Sequence, residues 1–128
     1  MRIDLHCHTY VSPDSVTPIE DFPRRCREEQ IDVQAITDHS KVRGALELQE
    51  HVREIQDDHL TVIVGEEILT SEGEIIGLFL KERIESGLSP EETVRMIKAQ
   101  GGLVLLPHGF DPFKPSRLKP EARERIAA

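Results

Sequence analysis

The chain has 128 residues, enough for one domain with a modest core, and its 38% hydrophobic and 31% charged content excludes wholesale disorder, a fibre or a tail. A formal charge of -8 argues against a broad basic surface for duplex nucleic acid, because backbone binding rests on Lys and Arg neutralising phosphates. It leaves room for a small phosphate-bearing ligand, since a bound cation inverts the local sign of an acidic site.

Arg2 to Leu5 alternate and read as a first strand that ends where the histidines begin. Asp4, His6 and His8 interrupt the first apolar residues, and no run approaches the roughly 20 residues of a membrane span. No membrane association and a cytoplasmic location are therefore expected. Cys7 and Cys26 match no paired zinc spacing and are expected to be reduced. After a loop punctuated by Ser12, Pro13 and Ser15, Thr17 is placed to cap a helix with Pro18 first and Glu20 completing the box, running to about Gln30.

Ile31 to Thr37 reads as a second strand, and apolar residues at near-helical spacing predict a helix from Val42 to Asp57. Gly44 weakens only its first turn. Leu60 to Val64 is a third strand and Glu74 to Leu80 a fourth, so close behind that the two form a hairpin or an irregular pair. Ser89 caps a helix that runs to Gln100, with Gly101 at its end, and Leu103 to Leu106 is a fifth strand. A short helix starts at Pro120. Strands separated by helices imply an α/β fold with a largely parallel sheet.

The chemistry-bearing residues gather at one edge of that sheet. His6 and His8, Asp38 and His39, Glu66 and Glu67, and His108 all fall at or just beyond the carboxyl ends of predicted strands, where α/β folds place their sites. Each alone has a plainer reading: alternating surface histidines, a polar turn after a strand, a histidine after a core run. Four strand ends carrying metal-type residues together outweigh those readings. On an extended backbone, His6 and His8 share a face while Cys7 points away, so two imidazole nitrogens can reach one ion. Of the adjacent acids, one faces the site and the other faces solvent or an orienting partner, and a carboxylate can bridge two ions about 3.5 to 4 Å apart. His51 and His59 sit among solvated or distal residues and are assigned no role, nor are the loop acids Asp57 and Asp58.

These residues carry a resemblance to the PHP family, named for polymerase and histidinol phosphatase. The matching blocks are Asp4-Leu5-His6-Cys7-His8-Thr9-Tyr10-Val11-Ser12-Pro13-Asp14-Ser15, Ile36-Thr37-Asp38-His39, Gly65-Glu66-Glu67 and Pro107-His108, spread over nearly the whole chain. The resemblance implies a distorted (β/α)7 barrel, present here as its first five strands, with two or three divalent ions in a cleft at the strand ends. By that likeness His6 and His8 hold the first ion and Glu67 bridges it to the second, whose shell includes His108. Asp14 and His39 hold the third. Glu74 stands where many relatives have a histidine ligand, an oxygen donor that favours manganese or iron over zinc.

The function so implied is a metal-dependent phosphoesterase acting on a phosphomonoester or phosphodiester, such as a small phosphorylated substrate or nucleotide. The nearest basic residues for gripping phosphate are Lys41, Arg43 and Lys114. Two departures stand out: Pro107-His108 is followed by Gly109 where relatives often have proline, and the family's late aspartate and histidine are missing. Residues 1–128 are thus expected to be one PHP-like domain incomplete at its C-terminus, with self-association at the unclosed sheet edge and weak or no activity in isolation. The alternative is a non-catalytic metal-binding or regulatory module.

Overall fold

The computed structural model describes residues 1–107 and 116–127. Strand β1 (Ile3–Asp4) is followed by a single 3-10 turn (Ile19–Asp21), α1 (Phe22–Glu28), β2 (Val33–Ile36), α2 (Arg43–Glu54) and the long β3 (Thr61–Thr70). Then come β4 (Gly73–Leu78), α3 (Pro90–Ala99), β5 (Leu103–Leu105) and α4 (Pro120–Ile126). The strands form one open, distorted five-stranded sheet in the order β1-β2-β3-β4-β5, curling toward a barrel. Among the described residues no helix is long and apolar enough to cross a membrane.

The sheet is mixed rather than largely parallel. β1, β2 and β3 pair in parallel, while β4 is antiparallel to both β3 and β5. β4 is the return arm of a hairpin, and this alters the expected end of β3. Gly65, Glu66 and Glu67 disfavour a strand by propensity. In the fold, residues 65–70 pair with 73–78, so the strand passes through both acids to Thr70 instead of stopping at Val64. Cross-strand hydrogen bonding supplies what local preference withholds.

The first helix also begins differently. Thr17 caps nothing: its carbonyl accepts the Tyr10 amide, the chain enters a 3-10 turn after Pro18, and α1 starts only at Phe22 and ends at Glu28. At α3, by contrast, Ser89 accepts the Glu92 amide as the capping box requires, and Gly101 takes the positive φ that closes the helix.

Two apolar layers follow from strand alternation. Ile36, Val64, Ile68 and Ile75 face outward and are covered by Phe22, Ala45, Leu48, Ile97 and Leu118 from the helical side. Each large aliphatic side chain so buried contributes about 1.5 to 3 kcal/mol. Ala35, Ile63, Ile76 and Leu78 form a smaller inward layer, with Val33 and Leu105 against it. Glu67 lies opposite Ile76, so it continues this inward face one step beyond the apolar plug.

Candidate metal centre

The chain leaves β1 still extended, and the Thr37 amide donates to the Cys7 carbonyl, prolonging the parallel pairing past the named strands. Successive side chains therefore alternate. His6 and His8 turn to the inward face, while Cys7 packs against the outer core. Desolvation there pushes the Cys7 thiol up to about 11.

The next turn is tied to β2 by Asp38. This fully buried carboxylate accepts the Thr9 amide at 2.7 Å, the Thr9 hydroxyl at 2.7 Å and the Ser12 hydroxyl at 2.8 Å. The Ser12 hydroxyl oxygen in turn accepts the His39 amide at 2.9 Å. Gly44 makes room for the arrangement, since a Cβ there would stand 2.2 Å from Asp38 Oδ2 and 2.4 Å from Thr9 Oγ1. Tyr10 N–H to Thr17 O closes the following loop, and the Ser15 hydroxyl donates to the His8 carbonyl, which carries Asp14 back over the histidines.

His39 and Glu67 meet through a parallel bridge: the Glu67 amide donates to Asp38 O and the Ser40 amide to Glu67 O, each at 3.0 Å. Ser40 at φ 56 then swings the chain into α2. Gly65 allows β3 to approach its neighbours, because a Cβ would lie 2.8 Å from Gly77 O. Glu74 enters from β4, its amide held by Ser116 O.

These elements bring six of the expected ligands into one open cleft of about 610 Å³, lined also by Cys7, Ser15, Thr17 and Ser116. Glu67 Oε2 lies 3.2 Å from His6 Nε2, 2.8 Å from His8 Nε2 and 3.6 Å from His39 Nδ1. His39 Nδ1 is 3.7 Å from Glu74 Oε2. On the outer side, Asp14 reaches His8 Nδ1 at 3.1 Å and His39 Nε2 at 3.0 Å. Three groups of potential ligand atoms result: His6, His8 and Glu67; His8, Asp14 and His39; and His39, Glu67 and Glu74.

The charges of the cluster are tightly coupled. Burial raises the Glu67 carboxyl, but hydrogen bonding with His6 and His8 overrides it and holds the group far below the usual carboxylate range. Burial and the adjacent Glu67 push Glu74 up to about 7, because two carboxylates side by side cannot both ionise cheaply. For His8, burial lowers the pKa while the neighbouring Glu67 and Asp14 raise it more, to about 9. Asp14 is lowered by the two histidines against a desolvation cost. His8 Nε2 and Glu74 Oε2 are both buried, the first beside Glu67 Oε2 at 2.8 Å and the second beside His39 Nδ1 at 3.7 Å. Donors of mixed nitrogen and oxygen type, gathered in three groups whose atoms lie within reach of one another, fit one or more divalent ions.

Other expected residues lie elsewhere. Lys41 and Arg43 line a separate cleft with Arg83, whose Nε donates to Ser40 O, so they do not join the ligand cluster. His108 and Lys114 fall outside the described residues. Glu66 is fully buried on the opposite face of β3 from Glu67, where its Oε1 accepts the Ile84 amide at 2.7 Å. Thr9, Ser12 and Gly44 also build the site, though no metal-type chemistry marks them in the sequence. Their signal was the run of small and hydroxyl residues around the histidines and at the start of α2, legible only once Asp38 is known to be buried.

Comparison with known proteins places the family and the fold. Residues 4–113 match the PHP domain. An uncharacterised protein of Methanocaldococcus jannaschii is 44% identical over 123 residues, covering 88% of this chain and 70% of its own length. A second from the same organism is 39% identical over 111 residues, covering 87% of this chain but 40% of the relative. Among solved structures, a protein from Bifidobacterium adolescentis provisionally named a metal-dependent phosphoesterase superposes with TM-score 0.78 at 17% identity, over 99% of this chain and 74% of that one. An amidohydrolase from Chromobacterium violaceum, with sulfate bound and no metal, gives TM-score 0.54 at 23% identity over 77% of this chain and 33% of its own. At those identities the two structures speak for the fold.

Proposed function

We propose, from the premise that this chain belongs to the PHP domain family, that it is a divalent-metal-dependent phosphoesterase acting in the cytoplasm on a phosphomonoester or phosphodiester of a small substrate or nucleotide. The observation that carries this reading is the convergence of three ligand groups on Glu67 and its neighbours in one open cleft. The donors fit manganese, iron or zinc, and the three groups make room for two or three ions. Divalent ions bound there supply Lewis acidity toward a phosphoryl oxygen and a water activated near neutral pH.

The chain's own residues do the rest. Glu67 and Glu74 present carboxyl oxygens in the cleft, and His6, His8 and His39 present nitrogen donors beside them. Asp38 fixes the turn that carries His8 and the backbone of His39, so the donors are held by buried hydrogen bonds rather than by a mobile loop. At about 610 Å³ the cleft has volume for a phosphate ester head group beside these residues. Lys41, Arg43 and Arg83 serve a substrate only where it extends into the second cleft.

The five strands β1 to β5 are the first five of a PHP-type barrel. Ile3 on β1 and Leu103 on β5 expose apolar surface at the two edges, where a further strand or a second copy would pair.

The function is tested by supplying metal-free protein with manganese, iron or zinc and following hydrolysis of a nitrophenyl phosphomonoester and a bis-nitrophenyl phosphodiester. Metal-restored turnover that a chelator abolishes supports the proposal. Stoichiometric metal binding with no turnover of either ester, at every metal tried, would instead favour the non-catalytic module.

A further inference from the structure

The second cleft, of about 660 Å³, shares no residue with the ligand cluster. Lys41, Arg43 and Arg83 bring three cations to it, Val42 and Leu46 an apolar surface, and Glu47 and Glu50 two acids. The balance is one positive charge, in a chain whose net charge is -8. Both acids are already engaged. Glu47 Oε2 accepts the Tyr10 hydroxyl at 2.9 Å and its Oε1 lies 4.0 Å from Arg43 Nε, while Glu50 pairs with Arg53. Among the described residues Lys41 and Arg83 form no ion pair.

Arg83 is held in place by its own segment. Its Nε donates to Ser40 O at 2.7 Å, and the amide of the next residue, Ile84, donates to the fully buried Glu66 at 2.7 Å. On one side Gln100 Oε1 accepts the Lys81 and Glu82 amides, and on the other the Gly87 amide donates to Leu69 O. The two Nη groups of the guanidinium remain for a ligand. A cation fixed in advance binds without the cost of immobilising a long side chain.

We infer that this cleft is a second binding site, for a small organic molecule that carries one phosphate head on an apolar body. The head sits among Lys41, Arg43 and Arg83, and the body lies on Val42 and Leu46. Three cations suit a head of nearly two negative charges with several acceptor oxygens better than a carboxylate of one. The volume lies within the roughly 300 to 1,000 Å³ of small-molecule sites, which combine apolar walls with a few polar groups. The two acids decide against a polyanionic strand. Glu47 and Glu50 follow Arg43 by one and two turns of α2, Glu50 roughly 10 Å along the axis, so phosphates laid along the helix would meet carboxylates after the first. The site contains none of the candidate metal ligands, so the inference stands apart from the metal-dependent reading.

The test is titration of phenylphosphonate, a non-hydrolysable phosphate mimic on an aromatic ring, into the metal-free full chain, followed by 1H–15N spectra. Saturable shifts are expected at the amides of Lys41, Val42, Leu46 and Arg83. Affinity should fall about 5- to 10-fold in Arg83→Ala and likewise in Lys41→Ala, which carries the test alone if the spectrum of the first variant shows a disturbed fold. Leu46→Ala should weaken phenylphosphonate and leave inorganic phosphate unchanged, and benzoate should bind more weakly than phenylphosphonate. Shifts confined to the surroundings of His6, His8 and Glu67, or unchanged affinity in both cation variants, would overturn the site. Benzyl alcohol or benzoate bound as tightly as phenylphosphonate would overturn the phosphate head, and inorganic phosphate bound as tightly would overturn the apolar body.

Discussion

Asp38→Ala separates a residue that builds the site from those that occupy it. Asp38 is fully buried, belongs to none of the three ligand groups, and accepts three hydrogen bonds from Thr9 and Ser12. A hydrogen bond to a charged acceptor contributes about 1.5 to 3 kcal/mol, so three independent ones would total about 5 to 9 kcal/mol. They are not independent: one group makes all three, and the two hydroxyls can rotate toward other acceptors while the Thr9 amide cannot. The expected loss is therefore about 3 to 5 kcal/mol, the range for removing one partner of a buried charged arrangement. That is a large part of the roughly 5 to 15 kcal/mol that holds a typical domain. Urea unfolding of metal-free parent and variant at neutral pH measures it. A loss under about 1 kcal/mol would refute the reasoning, being no more than one ordinary hydrogen bond. A variant as stable as the parent without metal, yet unable to bind metal, would instead make Asp38 a ligand.

The adjacent acids should behave oppositely: Glu67→Gln loses most metal in calorimetric titration, Glu66→Gln keeps it, and equal losses would sink the distinction. Burial pushes the Glu66 carboxyl up to about 7 from 4.5, against the Ile84 amide and Arg83. Its contribution is therefore fully present below the unfolded value and is lost as pH rises through 4.5 to 7. Glu66→Gln should flatten that decline in denaturation experiments at acidic and mildly basic pH, and an unchanged slope would contradict the assignment. Metal affinity should rise with pH, since His8 in the metal-free site stays protonated up to about 9. Each proton displaced from a ligand gives about tenfold per pH unit below its pKa; a pH-independent affinity would argue that His8 is not a ligand. Gly44→Ala gains about 1 kcal/mol of helix preference. Its Cβ would stand 2.2 Å from Asp38 Oδ2, and overpacking of about 1 to 3 kcal/mol or more should leave it net destabilised in a thermal melt. A raised melting temperature would contradict this.

Much of this architecture was legible because it is local. Alternation placed His6 and His8 on one face, the Ser89 box marked α3, and apolar runs located all five strands. What escaped was non-local. β3 passes through Gly65, Glu66 and Glu67 because β4 folds back on it, and no window of β3 alone contains that information. Thr17 had the chemistry of a cap, but its carbonyl was already committed to Tyr10 across the loop. Gly44 looked like a weak point in a helix and is the space that a carboxylate from another strand occupies. Among the candidate ligands, residue type and strand position singled out His6, His8, His39 and Glu67, while Asp14 and Glu74 came only from the family resemblance. Which nitrogen of each ring faces which carboxylate required coordinates.

The central claim is that His6, His8 and Glu67 hold a divalent ion. Elemental analysis of the full chain purified without chelator, beside His6→Ala/His8→Ala prepared identically, tests it most directly. The account predicts at least one equivalent of manganese, iron or zinc in the parent and a clear loss in the double variant, with its circular dichroism preserved. The same metal content in both proteins would contradict it.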